Sequence, residues 1–246
     1  MNESKTNKTV AAIVRSRIGE VRKAFTLIEL LVTISVILLL AALTVGGVTR
    51  ATKSAGEARV RAELNQLVTA IESYQADLGV YPPDNGDLAL TRSDRAARNP
   101  LYYELMGTVV DNQNGQFRTG DGSETIGVAR IKNRFGVDGF QNAVTDPAKV
   151  RNYLRELKGT QRAKFTSDPT DVEVLKVHLQ WPLKSTQPPI PENPALNPWR
   201  YLVASPNNST NHNLDSYDLW AEYVDGKHVR VLGNWRSEAF IDRDFQ

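Results

Sequence analysis

Residues 22–48 read "RKAFTLIELLVTISVILLLAALTVGGV". From Phe25 to Val48 the stretch holds 24 residues and one charge, Glu29. As a helix it would be about 36 Å long, enough to cross a hydrocarbon core of roughly 30 Å. It is also longer than the apolar stretch of a secretory signal. Residues 1–24 carry Lys5, Lys8, Arg15, Arg17, Arg22 and Lys23 against Glu3 and Glu20, a net +4. Basic residues flanking a span stay in the cytoplasm, so the bulk of the chain is expected on the far side. A carboxylate inside such a segment costs about 2.5–3.5 kcal/mol near its centre and calls for a partner. Glu29 is therefore the first candidate functional residue.

The rest of the composition narrows the function classes. The chain has 246 residues, 41% hydrophobic and 24% charged, as in globular proteins. It has no cysteine, so disulfides, thiolate metal sites and cysteine nucleophiles are excluded. The net charge of +2 comes from the basic N-terminus, and the remaining 222 residues sum to −2. That balance argues against a nucleic-acid footprint. His178, His212 and His228 are scattered without metal-ligand spacing. No hydrolase triad signature, P-loop or dinucleotide fingerprint is present, and an enzyme is not expected. "DNQNGQ" (111–116) starts like a calcium loop but fails at Gln113 and lacks the closing glutamate. Asn207 and Asn208 fit the N-x-S/T pattern only as weak matches.

Helical periodicity continues past the apolar run, with Gly46-Gly47 as a soft point. Over 50–79, Leu64, Leu67, Val68, Ile71, Tyr74 and Leu78 fall on one face, with Arg59, Arg61, Glu63, Glu72 and Asp77 largely elsewhere. Gly79, Pro82 and Pro83 end the helix. Near the C-terminus, "NPWRYLVAS" (197–205), "SYDLWAEYV" (216–224) and "HVRVLGNW" (228–235) read as strands. Asp225-Gly226 marks a hairpin between the last two. Their Tyr and Trp residues read as core rather than as a stacking platform for sugars or bases. Three or four antiparallel strands laid on an amphipathic helix give an α+β, two-layer architecture. Residues 84–195 read as a decoration of modest apolar content, with short helices over 93–107 and 146–159 and a polar loop or weak hairpin over 111–125. The segment 181–198 is a Pro-rich connector.

Lys23-Ala24-Phe25-Thr26-Leu27-Ile28-Glu29 resembles the cleavage and methylation motif of type IV prepilins and of the pseudopilins of type II secretion. "YQADLGVYPPDNGDL" (74–88) is similar to the segment that closes the long pseudopilin helix. Asn197-Pro198-Trp199-Arg200-Tyr201, Tyr217-Asp218-Leu219-Trp220, Val224-Asp225-Gly226 and Gly233-Asn234-Trp235 resemble, in order, the C-terminal motifs of the major pseudopilins, the general secretion pathway protein G group. The resemblance covers 22–83 and 196–235, with 84–195 as a large insert. Ala24 stands where that family prefers glycine.

The resemblance implies a pilin-like fold with a long N-terminal helix on a small C-terminal sheet. It implies a leader of 1–24, a membrane and filament-core helix of 25–49, and a periplasmic head of 50–246. A prepilin peptidase would cut between Ala24 and Phe25 and N-methylate Phe25. Glu29 would set filament register by pairing with the Phe25 amine of a neighbouring subunit. The expected function is a structural subunit of a secretion pseudopilus anchored in the bacterial inner membrane. Its partners would be copies of itself, minor pseudopilins and the assembly platform. A type IV pilin of a surface pilus, for adhesion, motility or DNA uptake, shares this N-terminus. A single-span anchored periplasmic enzyme or binding protein is the reading from another class, in which Glu29 is dispensable. The resemblance also implies a calcium ion near Asp225. The shortened loop Asp225-Gly226-Lys227-His228 reads by itself as a plain hairpin in preference to a calcium site, since calcium takes six to eight oxygens.

Overall fold

A stripe of apolar side chains organises the head. In the computed structural model, which describes residues 25–204 and 211–245, helix α1 runs over Leu27–Leu78 and includes Gly46-Gly47. Side chains of 43–51 are outside the described set. The chain divides into two compact units, Met1–Ala51 and Thr52–Gln246.

In the first unit, every large apolar side chain from Phe25 to Leu40 is between 49% and 81% exposed. These positions point all round the helix, the pattern of a segment that needs a surrounding apolar medium or partner helices. Among the described residues no helix is long and apolar enough to cross a membrane. The described side chains of the expected 25–49 span stop at Ala42, and its leader, 1–24, lies outside the described residues.

In the second unit, Val60, Leu64, Leu67, Ala70, Ile71 and Tyr74 of α1 are buried, with Val68 and Leu78 part-buried against them. The spacing of three and four residues keeps them on one face. Truncating Leu67 or Ile71 to alanine would cost about 2–5 kcal/mol. The stripe starts a turn earlier than its sequence pattern indicates, at Val60. Glu63 corrects the expectation that it lies off this face: it is buried, with Arg59 Nε and His178 Nδ1 each 3.4 Å from Oε1. Gly79 takes φ +78° and ends the helix. That left-handed conformation carries no Cβ penalty only in glycine.

The sheet against this face is the antiparallel meander expected from the C-terminal motifs. Its strands, which follow the six strands of the insert in the chain, are β7 (Arg200–Val203), β8 (Tyr217–Asp225), β9 (His228–Gly233) and β10 (Phe240–Asp244). Their order is β10-β9-β8-β7. Strand β10 was not legible in sequence, because its Ile241-Asp242-Arg243-Asp244 run is mostly polar and exposed. Tyr217, Leu219, Ala221 and Tyr223 of β8 join the α1 core. Tyr217 Oη donates to Glu72 Oε1 and Tyr223 Oη to Glu57 Oε2, each at 3.0 Å. Glu57 and Glu72 are about 22 Å apart along a helix, and the two tyrosines about 20 Å apart along a strand. The match runs α1 and β8 in opposite directions and fixes their register at two points.

The insert holds α2 (Arg92–Ala97), α3 (Leu101–Met106), β1 (Thr108–Asp111), β2 (Gln116–Thr119), β3 (Thr125–Gly127), α4 (Val128–Phe135), β4 (Ala143–Val144), β5 (Arg162–Lys164) and β6 (Glu173–Leu175). One sheet has the order β3-β2-β1-β4, and β5 pairs with β6. The polar loop expected over 111–125 is thus part of a three-stranded meander. Its first turn is stabilised by Asp111, whose carboxylate accepts from the Gln113 and Asn114 amides. The apolar content of the insert is larger than its sequence indicates: Leu101, Tyr102, Leu105, Phe117, Ile131, Phe135, Phe165 and Val174 are buried in the same cluster as the α1 stripe.

The helix expected over 146–159 is corrected to a single 3-10 turn, Pro147–Lys149. Asp146 does cap it, accepting from the Ala148 amide at 3.0 Å. Beyond it the backbone is committed elsewhere. The Tyr153 amide donates to Leu105 O at 2.8 Å, and the Arg151 carbonyl accepts from Asn142 Nδ2 at 2.8 Å. Tertiary partners override a modest helical preference.

A buried carboxylate ties insert to stripe. Glu104 of α3 accepts from Tyr74 Oη at 2.9 Å and from the Gln141 and Asn142 amides at 3.0 Å. Burial pushes its carboxyl above the ordinary range against these three bonds.

Candidate functional site

The N-terminus of α1 is a capping box. Thr26 is the cap residue, and its carbonyl accepts the first helical bond from the Leu30 amide at 3.2 Å. Thr26 Oγ1 accepts from the Glu29 amide at 3.3 Å. In return Glu29 Oε2 accepts from the Thr26 amide at 2.9 Å and from its hydroxyl at 2.8 Å. Thr-x-x-Glu satisfies helix-end donors reciprocally, and a negative charge in the first turn also suits the helix dipole. The signal for Thr26 is in "FTLIE" itself, a threonine three residues before a glutamate at the head of an apolar run.

The described hydroxyls of Thr33 and Ser35 are also satisfied within the helix. Thr33 Oγ1 donates to Glu29 O at 2.9 Å and Leu30 O at 2.8 Å, and Ser35 Oγ to Leu31 O at 2.7 Å. Such back-bonding lets polar side chains enter an apolar medium without unpaired groups. Phe25 is described and exposed. Ala24, the other half of the expected cleavage pair, lies outside the described residues, as do Asn207 and Asn208.

The C-terminal motif residues act as fasteners. Asn197 Nδ2 donates to Leu179 O at 2.9 Å and Glu222 O at 2.7 Å. Asn234 Nδ2 donates to Tyr217 O at 3.0 Å, and its Oδ1 accepts from the Leu219 amide at 3.0 Å. A Cβ on Gly233 would fall 2.6 Å from carbons of the Trp235 ring, so glycine leaves room for that indole. His212 stacks on Trp235 with centroids 4.1 Å apart. Trp220 is buried in a small cluster with Ala96, Leu202 and Val231, on the opposite face of β8 from the α1-facing tyrosines. The aromatic residues are thus packed by their own neighbours.

Asp225 sits at the end of β8, where a two-residue turn, Gly226-Lys227, leads to β9. Gly226 has φ +66° and Lys227 a negative φ, the pattern of a type II′ turn. The Asp225 carboxylate faces Lys53 Nζ at 2.7 Å and Arg230 at 3.6 Å. The hydrogen bond from Lys53 holds its carboxyl below the usual range, with Arg230 acting in the same direction. Among the described residues no group of three or more His, Asp or Glu side chains is arranged to hold a metal. The donor set around Asp225, two cationic side chains and a two-residue turn, does not fit calcium. His178, His212 and His228 face Glu63, Asp218 and Asp244 separately.

Against known families, residues 21–45 match the prokaryotic N-terminal methylation motif. The match covers Ala24, Phe25, Thr26 and Glu29 and supports a type IV pilin-like prepilin, processed by a prepilin peptidase. No curated protein and no solved structure matches the chain.

Proposed function

We propose that the chain is a structural subunit of a type II secretion pseudopilus. A prepilin peptidase cuts it between Ala24 and Phe25 and methylates the new amine. The subunit then leaves the inner membrane by packing its apolar helix among those of its neighbours, with the head in the periplasm. The observation that supports this most is the methylation motif at 21–45 lying over a helix whose apolar side chains are exposed all round.

Within this reading Glu29 has two uses. Thr26 satisfies one of its oxygens inside the chain. A carboxylate offers about four lone-pair sites, which leaves capacity for the methylated amine of a neighbouring Phe25. A buried pair of this kind adds little stability after desolvation but can specify register. The subunit itself contributes no catalytic step; the work of assembly comes from a cytoplasmic ATPase, as the resemblance implies.

The order of Tyr-Asp-Leu, Asp-Gly and Gly-Asn-Trp and the absence of cysteine favour a secretion pseudopilus over a surface pilus. Intact mass of the protein from its native membrane tests the processing. A species beginning at Phe25 and carrying one added methyl group is expected. A species retaining residues 1–24 overturns the reading.

A further inference from the structure

The resemblance implies calcium where this chain places charged side chains, and the disagreement is informative. Lys53 and Glu57 are four residues apart on α1, and so share a face. Asp225 ends β8 and Arg230 lies on β9, so the other two charges belong to the hairpin. The four alternate in sign. Lys53 Nζ is 2.7 Å from Asp225 Oδ1, Asp225 Oδ2 is 3.6 Å from Arg230, and Arg230 is 3.9 Å from Glu57 Oε2. Tyr223 Oη also donates to Glu57 Oε2 at 3.0 Å.

We infer that the β8–β9 hairpin is fastened to α1 by this chain of alternating charges, with the Lys53 ammonium in the place of a metal ion, so that the head holds its hairpin without a divalent cation. Arg61 adds a further cation 3.4 Å from Glu57 Oε1, so the group holds three cations against two carboxylates. A calcium ion entering it would meet three cationic side chains and would have to take over carboxylate oxygens that they already engage. The turn adds Gly226 and Lys227, neither of which brings a side-chain oxygen. Calcium needs six to eight oxygens, and the group offers two carboxylates and one phenol.

Ion pairs with solvent access are screened by salt, whereas a chelated metal responds to its own concentration. Lys53 is well exposed, so the group should report on ionic strength. The inference stands apart from the choice between secretion filament and surface pilus, and it survives or fails without reference to cleavage at Phe25.

The test uses the full chain in detergent micelles, with thermal unfolding followed at several salt concentrations. Calcium chloride, magnesium chloride and a chelator are then compared at matched ionic strength. The wild type is expected to show the same Tm under all three and a Tm that falls as monovalent salt rises. Lys53→Met and Asp225→Asn are each expected to lower Tm by a few degrees at low salt. The double variant is expected to lose no more than the worse single one, and the differences should vanish at high salt. A saturable rise in Tm with calcium over magnesium, abolished by Asp225→Asn, overturns the inference. So does strict additivity of the two substitutions, which would mean that the ammonium and the carboxylate do not interact. Lys53 is exposed on α1 and Asp225 stands at the end of β8, and Asp225→Ser provides a second carboxylate deletion if Asp225→Asn fails to fold.

Discussion

Tyr201 donates its phenolic hydrogen to the carbonyl of Pro82 at 2.7 Å. The bond joins the segment that ends α1 to the first strand of the C-terminal sheet, two stretches 119 residues apart. Tyr201 is fully buried, and burial holds its hydroxyl well above its ordinary range, so it stays a donor. Replacing it by phenylalanine would leave the Pro82 carbonyl without this partner. The expected cost for Tyr201→Phe is about 1–3 kcal/mol. It should appear as a lower urea midpoint with an unchanged slope, and an unchanged midpoint would refute it.

Burial also makes the fold sensitive to alkali. Tyr102 is pushed up to about 12 by desolvation, and Tyr74, Tyr103, Tyr217 and Tyr223 are raised in the same direction by the same cause. In the unfolded chain they ionise near 10. The folded state therefore holds more protons above that pH, and stability falls as pH rises. The contribution of Tyr102 is complete below pH 10 and is lost as pH rises towards 12. Tyrosinate absorbance should then rise together with loss of far-UV circular dichroism in one transition. Gradual ionisation while the fold persists would contradict this.

Gly233 is the residue on which Trp235 rests. Gly233→Ala puts a methyl group 2.6 Å from the indole carbons, so the ring must shift. Overpacking of this kind costs about 1–3 kcal/mol. Its signature is a changed near-ultraviolet circular dichroism spectrum from Trp235 with the far-ultraviolet spectrum preserved. Identical near-ultraviolet spectra would show that the indole does not need that space.

Arg200 and Glu222 form a buried ion pair at 3.1 Å, with Arg243 also reaching Glu222 at 2.6 Å. Removing Arg200 leaves a largely desolvated carboxylate dependent on Arg243. Arg200→Met is expected to destabilise by about 3 kcal/mol, near the lower end for breaking a buried pair. Arg243→Met, which is half exposed, should cost less. Equal midpoints in urea for the two variants would sink this ranking.

How far the sequence anticipates these details depends on where each instruction resides. The α1 stripe and β7–β9 are local patterns, and Leu64, Leu67, Ile71 and Tyr74 lie where their spacing puts them. The Thr26–Glu29 box is local too. Glu63 is buried because Arg59 and His178 stand beside it, and His178 is 115 residues away, beyond the reach of any window. The segment after Pro147 has helical residues, yet Leu105 and Asn142 bind its backbone. The chain of charges at the hairpin is illegible for the same reason: Lys53 and Asp225 are 172 residues apart, and each alone is an ordinary surface charge.

Strand β8 carries two interleaved messages. Its odd-numbered residues from 217 to 223 are two tyrosines, a leucine and an alanine, and its even-numbered residues from 218 to 222 are an aspartate, a tryptophan and a glutamate. A slip of one position during folding would exchange the two sets, sending carboxylates towards α1 and leaving Glu57 and Glu72 without their phenols. Most hairpins reject a wrong alignment on greasiness alone. Here the misaligned product would be penalised by charge as well, so the strand proofreads its own pairing before the chain is committed to it.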